Sequence, residues 1–276
     1  VQQQRGDFEL EIAENLGYGD ITPVLRDMAE RGFDLLICHA SGYQTICPEF
    51  AQESGVHVAA IENPDAVSNL VGDIETQAQE VAYLAGVLAA EMTQSGTVGV
   101  VVSGEPPTWN FMTVGFAEGV KATDPAVEIL YGVIGEAAYE DAAGAKRTTE
   151  SQLAAGADII FGMGDGASFG MIQAIEEHND ASDTKAWFID VIGDKSADYG
   201  DVLLSSVLFD YSGVYNQIID DIAAGDFGKV YTMDLASGGV RLLDPPADVP
   251  QETLDAVEQA REAILAGEIT VSAIGD

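Results

Sequence analysis

Four apolar residues, Leu35–Cys38, run straight into a polar, glycine-containing turn at His39, Ser41 and Gly42. A strand buried on both faces reads as such a continuous apolar run, and in an open parallel sheet its carboxyl end is where ligands sit. Helical periodicity precedes it over residues 23–31 and follows it over 48–54, making it a strand between two helices. Similar strand–turn–helix units recur along the chain. That recurrence restricts the fold to α/β with parallel sheets.

Taken in order, residues 8–13 (FELEIA) alternate as a strand, and Asp20 caps a helix that has Pro23 in its first turn and Gly32 at its end. Strands are expected at 57–61, at 70–72 and at 97–102, with a long helix over 74–92. The proline-rich stretch 103–110 (SGEPPTWN) breaks the rhythm and reads as a crossover into a second lobe. There, helices at 111–122, 141–155 and 169–177 alternate with strands at 128–131, 158–161, 187–189 and 203–208. A helix over 214–224, a strand over 230–235, a helix over 252–266 and an edge strand at 269–272 complete the pattern. The expected lobes are 1–106 with 209–235, and 107–208 with 236–276. Their crossovers fall near 104–109, 206–211 and 234–240, a linkage that permits hinge closure about a cleft.

Forty-seven acidic residues stand against 11 basic ones, a formal net charge of -36. Such a surface repels nucleic acid and anionic membranes. The acids are spread over nearly every helix, which points to a protein adapted to high salt, where the Debye length falls to about 3 Å at 1 M. Two cysteines make no disulfide framework. Cys38 reads as a buried small residue, and a bridge to Cys47 is compatible with the spacing. No signal peptide or transmembrane run is read in these residues.

No catalytic or nucleotide motif is complete. GMGDGASFG (162–170) lacks the later acidic residue of a dinucleotide site and the Gly-Lys-Ser/Thr of a phosphate loop. The three histidines stand apart, which argues against a metal site. No cofactor is expected and no enzyme activity. What remains is a set of polar and aromatic residues past strand ends: His39, Ser41 and Tyr43; Trp109 and Asn110; Tyr139 and Asp141; Asp165; Asp190 and Asp194; Phe209 and Asp210. Aromatics stack on flat rings, and Asn or Asp hydrogen-bonds their edges or a ribose. Plain structural roles compete. Tyr43 and Phe209 can pack under a loop, His39 can satisfy nearby backbone, Asp141 is a good helix cap, and Asp194 suits a turn.

Several stretches resemble the basic membrane protein family, ABC-transporter substrate-binding lipoproteins for purine nucleosides or bases. They are GFDLLICHASGYQ (32–44), NFMTVGFAEGVKATDP (110–125), YEDAAGAKRTTESQLAAGADIIF (139–161), GDVLLSSV (200–207), AAGDFGKVYTMDLASGGVRL (223–242) and AILAGEITV (263–271). The resemblance implies the type I periplasmic-binding-protein fold: two doubly wound parallel-sheet lobes joined by crossover strands, with a ligand cleft. It implies a monomeric receptor, anchored outside the cytoplasmic membrane, that hands its ligand to an ABC permease. Trp109–Asn110 matches the family's stacking and polar positions, and Asp141 its acidic one. Phe209 stands where a ribose-binding lysine is common, which favours a bare base. Ile192 replaces the first of two aspartates, and Asp194 keeps the second. The family's opening strand and loop have no counterpart here, so an N-terminal portion is read as missing. Receptors for a flavin-like heterocycle or a sugar, and ligand sensors built on the same module, are the competing readings.

Overall fold

The computed structural model describes residues 1–17, 19–40, 42–62 and 66–273. The chain forms two compact units, one of Val1–Thr76 with Asp210–Met233 and one of Gln77–Phe209 with Asp234–Asp276. In chain order the first unit opens with α1 (Gln2–Arg5), α2 (Thr22–Glu30), β1 (Leu35–Cys38), α3 (Ile46–Ser54), β2 (His57–Ile61) and β3 (Val71–Thr76). The second unit follows with α4 (Ala78–Met92), β4 (Thr97–Val102), α5 (Pro107–Thr123), β5 (Glu128–Val133), α6 (Ala142–Ala154), β6 (Ile159–Met163), α7 (Ser168–Ala181), β7 (Trp187–Ile192), α8 (Ser196–Tyr199) and β8 (Leu203–Phe209). α9 (Ser212–Ala224) and β9 (Val230–Met233) return to the first unit, and β10 (Val240–Leu242) and α10 (Gln251–Leu265) to the second.

Among the described residues, the first unit holds a parallel sheet in the order β1-β2-β3-β9. Its core packs Leu25, Leu36, Phe50, Val58 and Val71 around the Cys38–Cys47 pair. The second unit holds the order β10-β8-β7-β6-β4-β5, parallel except for β10 against β8. Its central strands are buried on both faces: Phe161 stacks on Phe116 of α5 at 4.7 Å, while Ile160 and Phe188 face α6 and α7. Burial of this kind contributes about 25 cal/mol per Å² of apolar surface. Among the described residues, no helix is long and apolar enough to cross a membrane.

The first change of unit falls at Thr76/Gln77 rather than at 104–109. The reason is pairing: β4 lies between β5 and β6 in the larger sheet. The proline stretch is instead the entry to α5, with Pro106 and Pro107 at its N-terminus, where a missing N–H costs nothing. The other two changes fall at Phe209/Asp210 and Met233/Asp234. β3 runs on through Ile74 and Thr76, residues the helical reading of 74–92 had claimed, because β2 and β9 pair with it on either side. β10 was not anticipated; three residues are too short to show alternation.

Two expected strands are absent. Residues 8–13 alternate correctly, yet no described strand pairs with them, and Leu10 and Ile12 stand 53% and 67% exposed. Alternation supplies a face, but a strand also needs a ladder partner. What ties this stretch down is an ion pair from Glu11 to Arg31 at the end of α2. Residues 269–272 run outside the sheet, with Val271 buried and the Ser272 amide donating to Glu118.

Candidate ligand-binding sites

In the first unit β1, β2 and β3 end along one sheet edge, because they run parallel and in register. His39 follows β1, Glu62 follows β2, and Thr76 closes β3. Tyr211 and Tyr215 lie four apart at the start of α9, a spacing that puts both on one helix face. The His39 ring meets Tyr211 edge-on at 4.6 Å, and Tyr211 stacks with Tyr215 at 5.6 Å. His39 Nδ1 shares a hydrogen bond with the Tyr215 hydroxyl at 2.5 Å.

Glu62 has a left-handed backbone, φ 52°, uncommon for a residue with a side chain. Its Oε1 accepts from the Thr76 hydroxyl at 2.5 Å and from the Thr76 amide at 3.2 Å. Burial pushes the Tyr211 and Tyr215 hydroxyls up, and the Glu62 charge adds to the rise at Tyr211. Burial of the ring lowers His39, which favours the neutral imidazole. The result is an aromatic group beside a fixed hydrogen-bond acceptor.

A disulfide joins Cys38 to Cys47, so Cys38 is more than a small buried residue. It closes the turn that carries His39. Tyr43 faces the core at 9% exposure and donates its hydroxyl to the Gly17 carbonyl, so it supports the turn from beneath. Asp210 is exposed, and its Oδ1 accepts from the Ser212 amide at 2.9 Å ahead of α9. Ser41 lies outside the described residues. Tyr211 and Tyr215 were missed in the sequence, although they follow Phe209-Asp210 at a strand end and keep a helical spacing.

In the second unit the carboxyl ends of β6 and β7 carry a charged group. Asp190 is fully buried, pairs with Lys195 and accepts from the Ser168 hydroxyl at 3.2 Å. Burial pushes the Asp190 carboxyl up, and Lys195 opposes the shift. Asp165 follows β6 with φ 50°; burial and the neighbouring Glu140 push its carboxyl up, while Lys195 pulls it down. Phe209 ends β8, half-buried against the main core. Asp194 is exposed; the Ser196 side chain and then the Ser196 amide, which donates to Oδ1 at 2.8 Å, hold its carboxyl below the usual range.

Trp109 does not lie in a linker. It sits in the first turn of α5 at 5% exposure, edge-on to Tyr139 at 5.2 Å, and belongs to the core. Its large apolar surface is already covered, which removes it as an open stacking face. Tyr139 is half-buried beside it. Asn110 is exposed and donates to the Glu105 carbonyl at 3.1 Å. Asp141 caps α6, its Oδ1 accepting from the Gly144 amide at 2.8 Å. Among the described residues, no three His, Cys, Asp or Glu side chains gather as a metal ion would require.

This arrangement of parallel sheets in two units has close counterparts. A solute-binding protein of an ABC transporter system from Aeropyrum pernix K1 superposes with a TM-score of 0.82 at 20% identity, over 95% of this chain and 83% of that one. The fold is thus the periplasmic-binding-protein α/β fold. In sequence, the ABC transporter nucleoside-binding protein BmpA of Lactococcus lactis subsp. cremoris (strain MG1363) is 30% identical over 208 residues, 70% of this chain. The match spans only 57% of that relative's length. The transcriptional activator protein Med of Bacillus subtilis (strain 168) is 24% identical over 224 residues, 81% of this chain and 67% of that protein. A family model described as ABC transporter substrate-binding protein PnrA-like matches residues 1–274. The chain therefore belongs to the PnrA-like (Bmp) family of ABC transporter substrate-binding proteins.

Proposed function

We propose that this substrate-binding protein captures a purine nucleoside or purine base outside the cytoplasmic membrane and delivers it to an ABC permease. The observation that carries the reading is the aromatic group His39–Tyr211–Tyr215 beside Glu62 at the strand ends of the first unit. A flat ring stacks on such side chains, and its polar edge finds an acceptor. The name of the nucleoside-binding relative supports the same class. The disulfide supports an extracytoplasmic setting, because such bonds persist in oxidising compartments. Binding is the whole activity in this reading, by a monomer. In the first unit His39, Glu62, Asp210, Tyr211 and Tyr215 are its contact candidates, with Ser41 near His39 in sequence; in the second unit, taken by itself, the candidates are Asn110, Asp165, Asp194 and Phe209. Asp190 acts from beneath through Lys195, and Asp141 and Tyr139 shape their loop.

The test is mass spectrometry of small molecules released on denaturing the purified protein, followed by calorimetric titration of purines. A released purine that rebinds supports the proposal. A protein that binds no purine but takes up a sugar or flavin moves the assignment to another solute. The Med relative favours a second reading, a ligand sensor. Purine uptake that is lost when this protein's gene is deleted separates the transport role from that one.

A further inference from the structure

In the second unit β7 ends in a strained turn that holds an isoleucine outward. Ile192 is β-branched yet left-handed, φ 74°, a conformation that costs such a residue more than it costs Gly or Asn. The Gly193 amide donates to the Val191 carbonyl at 2.9 Å, closing a three-residue turn about Ile192. With this sign of φ, that turn is the rare and strained form. Several restraints keep it closed. Ile192 stays in register with Leu208 of β8, and the Ser206 hydroxyl donates to the Gly193 carbonyl at 2.8 Å. Lys195 reaches back across the turn to pair with buried Asp190. Strain of this kind persists only where the surroundings over-determine it, and it gathers at ligand sites. Here it does not serve to bury the side chain. Ile192 stands 41% exposed at the carboxyl end of a parallel strand, where such sheets bind their ligands.

This end of the sheet offers a ligand apolar surface. Phe209 closes the neighbouring strand β8, one residue beyond the partner of Ile192. The polar side chains nearest in sequence and register are engaged in holding the turn: Asp190 with Lys195 and Ser168, Ser206 with Gly193, Asp194 with Ser196. A hydroxyl pressed against Ile192 gives up water and finds no partner on that side chain.

We infer that Ile192 selects an unglycosylated purine base over its ribonucleoside, by presenting an aliphatic side chain where ribose hydroxyls would need partners. The inference rests on the purine reading above and narrows it. Ile192 is the specificity contact; Asp190, Lys195 and Ser206 are positioning residues that hold its turn.

The experiment is calorimetric titration of the full chain with adenine, hypoxanthine, adenosine and inosine, in wild type, Ile192→Asn and Ile192→Thr. Melts followed by tryptophan fluorescence report the fold of the second unit, which holds both tryptophans. Asn suits a left-handed backbone and adds hydrogen-bonding groups; Thr keeps the branch at Cβ and adds one hydroxyl. Wild type is expected to bind the bases at least about tenfold more tightly than the nucleosides, the scale of one hydroxyl left unpartnered. Both variants are expected to narrow that ratio to about threefold or less, because the added groups meet the ribose. Ile192→Asn is expected to melt no lower than wild type, since relief of the backbone offsets the lost apolar contact. A wild type that binds nucleosides as tightly as bases overturns the inference and leaves the purine reading standing. A wild type that binds neither overturns both. A ratio that survives in Ile192→Thr also overturns the inference, and that variant keeps the shape of the turn even if Ile192→Asn disturbs it. So does an Ile192→Asn protein that melts lower with its preference intact, which would assign the side chain to packing.

Discussion

Cys38 and Cys47 are joined across the turn that carries His39, and both cysteines are buried. The bond closes a sequence separation of nine, for which the chain-entropy account gives about 2–3 kcal/mol of stabilisation. The double variant Cys38→Ala/Cys47→Ala should lose that much in urea unfolding. Trp109 and Trp187 both lie in the second unit. Tryptophan fluorescence therefore follows that unit, while circular dichroism also follows the first. The loss should show in the circular dichroism transition, and an unchanged curve would mean that packing alone holds the turn.

The pairing of buried Asp190 with half-buried Lys195 makes a pH-dependent prediction. Removing one member of a buried pair typically costs about 3–5 kcal/mol, because the other charge is left alone. Burial raises the Asp190 carboxyl in the native state, and Lys195 limits the rise. Lys195→Met removes that limit, so the folded variant holds a proton over a wider range than the unfolded chain. By linkage its stability then falls as pH rises through that range. The deficit against wild type should be small near pH 4, close to the unfolded carboxyl value, and grow toward neutrality. A deficit independent of pH would assign the loss to the lysine stem's packing instead.

Helices α4 and α5 touch backbone to backbone. A Cβ placed on Gly119 would sit 2.1 Å from the Tyr83 carbonyl oxygen, and one on Gly86 would sit 2.2 Å from that of Phe116. Neither neighbour is a flexible side-chain tip. Gly119→Ala gains up to about 1 kcal/mol in helix propensity, but overpacking costs about 1–3 kcal/mol, and here the obstacle is backbone. The variant should unfold at lower urea by tryptophan fluorescence. Gly213→Ala, in α9 of the first unit with open space around it, is the control; followed by circular dichroism, it should be neutral or slightly stabilising. Equal midpoints for Gly119→Ala and wild type would refute the close approach.

Local chemistry explains which features were legible in the sequence. β1, β4 and β8 were plain because buried parallel strands are continuous apolar runs, and α6 was plain because Asp141 caps it. The unit boundary at Thr76 was hidden, since only pairing decides which sheet β4 joins. Residues 8–13 show the converse: a correct pattern without a ladder partner. Among the candidates, His39 was singled out by its place after a strand. Trp109 was misplaced because prolines beside an aromatic suggest a linker as readily as a helix start. Glu62 was overlooked among 47 acidic residues, where a single carboxylate carries no signal until its backbone angle and its bond to Thr76 are seen.

Salt should stabilise this protein, and the sign follows from counting charges. Acidic residues exceed basic ones by 36. Most surface ion pairs, such as Lys146–Glu177 at 2.7 Å, contribute at most about 1 kcal/mol each. Screening weakens those pairs, but it also weakens repulsion among many more like charges. The Debye length falls from about 30 Å at 0.01 M to about 3 Å at 1 M, shorter than most separations on such a surface. Repulsion is the larger quantity, so the melting temperature should rise steadily between those concentrations, with sodium and potassium chloride giving similar curves. A specific ion site would instead saturate at low concentration and separate the two salts. A flat or falling profile would show that the acids are spaced widely enough for their mutual repulsion not to matter.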